Sequence, residues 1–113
     1  MKAQEIIENV KVNFGRMLSI QLLYEWEGEG LLGEVVKRHP SKKGSIKDYN
    51  SKNLQRIYLL TYFAGIGWTR SRLKELIISK DNQTIHTAKS AISNMKNYGM
   101  QKLVELAEVD FII

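Results

Sequence analysis

The 113-residue chain has no cysteine, a single proline and no long apolar run. The lack of cysteine excludes disulfide staples, cysteine nucleophiles and thiolate metal sites, and accords with a reducing compartment. With one proline, helices are free to form along nearly the whole length. The richest apolar stretches are broken by Lys, Glu, Gly or Thr within about six residues, far short of the roughly 18 to 20 that a membrane span needs. The opening residues are acidic and amphipathic rather than basic then apolar, so no secretory signal is read there. With 43% hydrophobic residues, the chain can bury one modest core. One compact, cytoplasmic domain over residues 1 to 113 is expected.

Acidic residues are scarce in the middle of the chain. Residues 37 to 102 hold fourteen Lys or Arg against Asp48, Glu75 and Asp81, a local balance of +11, whereas the whole chain carries +5. A basic centre of this kind attracts an anionic polymer through counterion release. It includes Lys42, Lys43, Lys47, Lys52, Arg56, Arg70, Arg72, Lys80, Lys89 and Lys96. A basic but merely solvated surface gives the same count, so charge must be joined to shape.

Periodicity supplies the shape. Ile6, Ile7, Val10 and Phe14 predict an opening helix, and "MLSIQLLYEW" predicts a second that breaks at "EGEG". "LLGEVVKRH" puts Leu32, Val35, Val36 and His39 on one helical face before Pro40, and "PSKKGSIKDYNSKN" reads as a polar, basic loop. Ser51 is placed to cap the most buried helix, "NLQRIYLLTYFAG", which Gly65 and Gly67 end. A short helix follows, capped by Thr69 or Ser71 and buried through Leu73, Leu76 and Ile77. After the tight "SKD" comes a longer helix with Ile85, Ala88, Ile92 and Met95 inward and Gly99 as its stop. Met100, Leu103, Val104 and Ala107 share one face of a last helix, ahead of the "FII" tail. No alternation of period two stands out, and the expected class is all-α.

A short helix, a tight turn and a longer helix is the layout of a helix-turn-helix, here over about residues 71 to 96. With Ile85, Ala88 and Ile92 inward, Asn82, Gln83, His86, Thr87, Ser90 and Asn94 face outward or partly so. Asn and Gln can make paired hydrogen bonds to adenine, Thr offers a hydroxyl and a methyl, and short polar groups allow close approach to a groove. The plainer account is N-capping by Asp81 or Ser79 followed by a neutral surface.

"RLKELIISKDNQTIHTAKSAI" resembles the helix-turn-helix of the C-terminal, origin-binding domain of the bacterial replication initiator DnaA, whose fold is similar to that of the Trp repressor. Leu73, Glu75 and Leu76 match its first helix, Lys80 its basic turn residue, and Asp81, Thr84, Ile85, Ala88 and Ile92 its recognition helix. The match covers roughly 25 residues. It departs where the family has Gly-Gly, here Ile78 and Ser79, and where it has His and Thr, here Asn82 and Gln83. The resemblance implies that Asp81, Asn82, Gln83, Thr84 and Thr87 read bases and that Lys52 and Arg56 form a basic loop reaching the minor groove; the expected role is replication or transcription control, with a mobile-element protein as the alternative. No phosphate-binding Gly-x-x-x-x-Gly-Lys-Ser/Thr loop accompanies it. With Arg70, Arg72 and His86 added, these residues make up the expected interface with double-stranded DNA.

Catalysis, a metal and a cofactor are not expected. His39 and His86, the two histidines, lack any metal-ligand spacing. Glu25, Glu27 and Glu29 alternate beside Gly in the manner of an exposed turn rather than a cation cage. Two other classes stay open: a protein-interaction module using the acidic first helix and the "FII" tail, and a non-specific nucleic-acid binder that takes RNA. Trp26 and Trp68 are expected to fill the core. Whether the chain forms a homodimer or holds a protein partner does not follow from the residues.

Overall fold

The computed structural model describes the backbone of residues 1–41 and 44–111 and the side chains of 1–36 and 47–107. In chain order the elements are α1 (Ala3–Phe14), α2 (Ile20–Gly28), the strands β1 (Val36–Ser41) and β2 (Gly44–Asp48), then α3 (Ser51–Gly65), α4 (Arg70–Ile77), α5 (Asn82–Ser93) and α6 (Tyr98–Phe111). The class is all-α, with one hairpin as the exception.

The first two helices form for the reasons the spacing predicts. Ile6, Val10 and Phe14 recur every fourth residue and are all buried, and α1 stops where Gly15 takes the left-handed conformation (φ +65°) that a side chain would resist. Ser19 caps α2 by accepting from the Leu22 N–H at 3.0 Å, and Leu23 and Trp26 turn inward.

Helix α3 is the centre of the fold. Ile57, Tyr58, Leu59, Leu60, Thr61 and Phe63 are all buried, so it is covered nearly all round. Helices α1, α4 and α6 pack on it, and α6 contributes the fully buried Val104 and Ala107. Its cap is Asn50 and not Ser51. Asn50 and Asn53 exchange side-chain and backbone hydrogen bonds at 2.9 Å, a reciprocal box that the lone Ser hydroxyl cannot match. Buried Asn53 also donates to the carbonyls of Leu32 (2.7 Å) and Glu34 (3.1 Å), fixing the preceding segment to the start of α3.

The segment expected as a helix ending at Pro40 and a basic loop is instead a hairpin. Gly33 (φ +77°) stops helical propagation, and the β-branched pair Val35 and Val36 leads into an extended backbone. The strands pair antiparallel, with Val36 opposite Asp48, Lys37 opposite Lys47 and Arg38 opposite Ile46, and the register shifts between Arg38 and Ser41. Pro40 lies in that irregularity, where a missing N–H costs no ladder bond. At the base of the hairpin Lys47 pairs with Glu27 at 3.0 Å and lies over the Tyr24 ring at 3.7 Å. Buried Tyr49 donates its hydroxyl to Glu27 at 3.3 Å. Burial and then the neighbouring Glu27 charge push its pKa upward. Lys42 and Lys43, and the Ile112 and Ile113 of the apolar tail, lie outside the described residues.

Helix α5 does not run to Gly99. It ends at Ser93, and its last carbonyls are met by a turn (Met95 N–H to Ile92 O, 3.2 Å) and by the Gln101 amide, which donates to Ile92 O at 2.9 Å. Gly99 falls in the first turn of α6, where Asn97 accepts from the Met100 N–H at 3.1 Å.

Candidate nucleic-acid interface

Helix α4 begins at a Thr69 cap, which accepts from the Arg72 N–H at 3.3 Å, and buries Leu73, Leu76 and Ile77. A four-residue turn, Ile78 to Asp81, leads into α5. Within it Lys80 adopts φ +52°, the one positive φ at a non-glycine among the described residues. A β-carbon in this region costs about 1 to 2 kcal/mol. Backbone bonds hold the turn closed, from Ser79 N–H to Lys74 O (3.1 Å) and from Asp81 N–H to Glu75 O (3.0 Å). Lys80 is thereby held exposed at the entrance to α5.

Asp81 caps α5. Its carboxylate accepts from the Thr84 hydroxyl at 2.8 Å and from the Thr84 N–H at 3.0 Å, and these bonds, the hydroxyl first, hold its pKa below the ordinary aspartate value. Thr84 is itself buried and within 3.5 Å of a Glu75 carboxylate oxygen. The resemblance made Thr84 a base reader; the structure makes it an inward partner of the cap, because a cap carboxylate draws the residue three positions on toward itself. Thr87 is half-buried, and its hydroxyl donates back to the Gln83 carbonyl at 2.9 Å. The inward stripe is as the spacing predicts, with Ala88 and Ile92 fully buried and Ile85 and Met95 packed at the edge of the core.

Asn82, Gln83 and His86 are exposed, followed by Ser90 along the same helix and by Asn94 at its C-terminal cap. Among the described residues none of the first three side chains has a hydrogen-bond or ionic partner. Lys89 is half-buried on the same helix, and Lys96 is exposed beyond it.

The other expected contacts lie elsewhere or are engaged. Arg70 pairs with Glu25 at 2.7 Å and Glu29 at 3.5 Å, and Lys74 pairs with Glu29 at 3.4 Å. The acidic stretch read as an exposed turn therefore neutralises part of the basic surface of α4. Arg72 lies 4.1 Å from the Trp68 ring, which in turn packs on Phe63 at 4.3 Å. Trp26 is buried outright, whereas Trp68 is only partly so. Lys52 and Arg56 do not form a loop: Lys52 is exposed in the first turn of α3 and Arg56 is half-buried beside Gly33. They sit at the start of a helix about 22 Å long, and α4 follows its other end. Ile78, already noted in the sequence as standing where the resembled family carries glycine, is 53% exposed at the end of α4.

Among the described residues no group of His, Asp or Glu is arranged to hold a metal ion, and no helix is long and apolar enough to cross a membrane. The fold thus defines a small all-α domain with a two-helix unit exposed on one side. No protein-family model, curated protein or solved structure matches the chain.

Proposed function

We propose that the chain binds double-stranded DNA, with α4 and α5 acting as a helix-turn-helix and the first two turns of α5 entering the major groove. One observation carries the reading: Asn82, Gln83 and His86 stand exposed on those turns without internal partners. Side-chain amides kept free of internal bonds suit paired recognition of adenine edges. Exposed Lys80 and Lys52, within a centre of charge +11, supply cations for phosphates. The resemblance to the DnaA origin-binding domain supports the same assignment and suggests replication or transcription control in the cytoplasm. Under this reading the protein is a non-catalytic reader of DNA sequence.

The test is a mobility-shift series on duplex DNA across salt concentrations. Log K should fall linearly with log salt, with a slope of about −0.9 for every phosphate neutralised, and several phosphates are expected. A flat response would overturn the proposal and leave the protein-interaction reading. Equal or tighter binding to an A-form RNA duplex would exclude the major-groove docking, because that groove is too narrow in RNA to admit a helix.

A further inference from the structure

The β1–β2 hairpin stands apart from the helical core: each strand packs on the other, and neither lies along a helix. A lone two-stranded ribbon is marginally stable in water at best, and the residues of this one add to the difficulty. Between Glu34 and Asp48 the sequence has five Lys or Arg and no acid. Lys37, Arg38 and Lys47 stand at defined register positions, and Lys37 is directly opposite Lys47. Like charges so placed destabilise a strand pair, and a glutamate facing Lys47 would serve the fold better. The acids at the ribbon's root do not offset the rest. Glu27 is engaged by Lys47 and by the Tyr49 hydroxyl, and Asp48 by the N-terminal amine at 2.6 Å.

We propose that this ribbon contacts the phosphate backbone of the duplex that α4 and α5 engage, an inference that rests on the DNA reading above and adds a second point of contact to it. The ion pairs of α2 set the distance. Lys47 at the ribbon's root is held by Glu27, and Arg70 at the start of α4 is held by Glu25. Residues two apart on a helix point to opposite sides, so the root and the start of α4 flank α2 across about one helix diameter, roughly 10 to 12 Å. The major groove is about as wide, at about 12 Å. From that root the six residues of β1 span about 20 Å of extended chain. A duplex, with one charge for about every 1.7 Å of its axis, offers several phosphates over that length. Lys52, exposed in the first turn of α3, continues the basic strip past the root. The composition argues against a lipid surface, because Val36 and Ile46 are the ribbon's aliphatic residues and no Trp, Phe or Leu accompanies them.

Lys37→Glu is the sharpest test, because opposite Lys47 it creates an attractive cross-strand pair and should hold or raise the melting temperature. A ribbon that serves only the fold would then keep its DNA affinity. A ribbon on phosphates would lose it: Lys37→Glu should weaken binding to a random duplex several-fold. Lys37→Gln combined with Arg38→Gln should make the slope of log K against log salt shallower by up to about two units. Both losses should be the same on a site selected by the wild type and on its scrambled control, because phosphate contacts carry no sequence information. In ¹⁵N NMR of the full chain, the random duplex should move the amides of the two strands as well as those of α5. Wild-type affinity and slope in both variants would overturn the proposal and leave the α5 reading standing, whereas a wild type that binds no duplex overturns both. Weakened binding of the variants to phosphatidylserine vesicles, with duplex binding unchanged, would also overturn it and assign the ribbon to a lipid surface.

Discussion

The outward faces of α4 and α5 differ in a way that residue counts conceal. Helix α4 carries more positive charge, yet that charge is largely committed: Arg70 to Glu25 and Glu29, Lys74 to Glu29, and Arg72 over Trp68. Helix α5 presents neutral Asn82 and Gln83 together with His86, and these have no internal partner among the described residues. A group already bonded within the protein must give up that bond before it can read a ligand, whereas an exposed unbonded amide gives up only water. Basic charge on α4 therefore serves the fold, by fastening it to α2, more than it advertises a partner. Under the proposed reading, the recognition chemistry lies on the less charged helix.

The comparison breaks most severely if the α5 register is wrong. Ala88 is fully buried, so Ala88→Glu should place an unpaired charge in the core and destabilise the domain by several kcal/mol, on the order of 3 to 5. Denaturant unfolding measures this. Wild-type stability in the variant would mean that the stripe through Ile85, Ala88 and Ile92 does not face inward.

A smaller effect is expected when the α2–α4 ion pairs are opened. Glu25→Gln combined with Glu29→Gln releases Arg70 and Lys74, whose side chains are 43% and 44% exposed. The pairs are accordingly worth at most about 1 kcal/mol each. Stability should fall little, while DNA affinity rises and the salt slope steepens by up to about two units. An unchanged slope would show that α4 does not approach phosphate even when its cations are freed.

The smallest effect concerns the cap of α5. The Asp81 carboxylate is favoured in the folded state by the Thr84 hydroxyl and amide, so its folded pKa lies below its unfolded one. That stabilisation is present above the unfolded pKa and is lost as the pH falls through the folded value. Asp81→Ala should therefore melt at a lower temperature than wild type between about pH 5 and 8, and the gap should close as the pH drops below about 4. A gap of equal size at both ends would assign the effect to something other than the ionised cap.

Much of the helical part was legible because it is local. The caps, narrowed in the sequence to Thr69 or Ser71 and to Asp81 or Ser79, the Leu73, Leu76 and Ile77 stripe and the Ala88 and Ile92 stripe each depend on residues within one or two turns. The hairpin was not, because Pro40 and a register shift interrupt its alternation and its partner strand is specified only by pairing. Ion pairs such as Glu25 with Arg70 join residues 45 positions apart and exist only once α2 and α4 meet. Thr84 was misread for a subtler reason. Its place in the resembled motif suggested an outward reader, but as the third residue of α5 it is drawn to the Asp81 carboxylate. Lys52 and Arg56 were expected as a basic loop only through the resemblance, whereas periodicity already put Arg56 in the helix that the Asn50–Asn53 box starts one residue before the expected Ser51 cap would.

The central claim, that the exposed face of α5 reads base sequence, is tested most directly at Gln83. Sites selected from a random duplex library by the wild type should be titrated, beside a scrambled control, with wild type and Gln83→Ala. Gln83 is exposed and off the buried stripe, so the substitution should leave the melting temperature unchanged. It should cost about 1 to 3 kcal/mol on the selected site and little on the scrambled one, because an amide paired with one base edge carries sequence information that a phosphate contact does not. Equal losses on both duplexes, or no enriched site from the library, would contradict the claim.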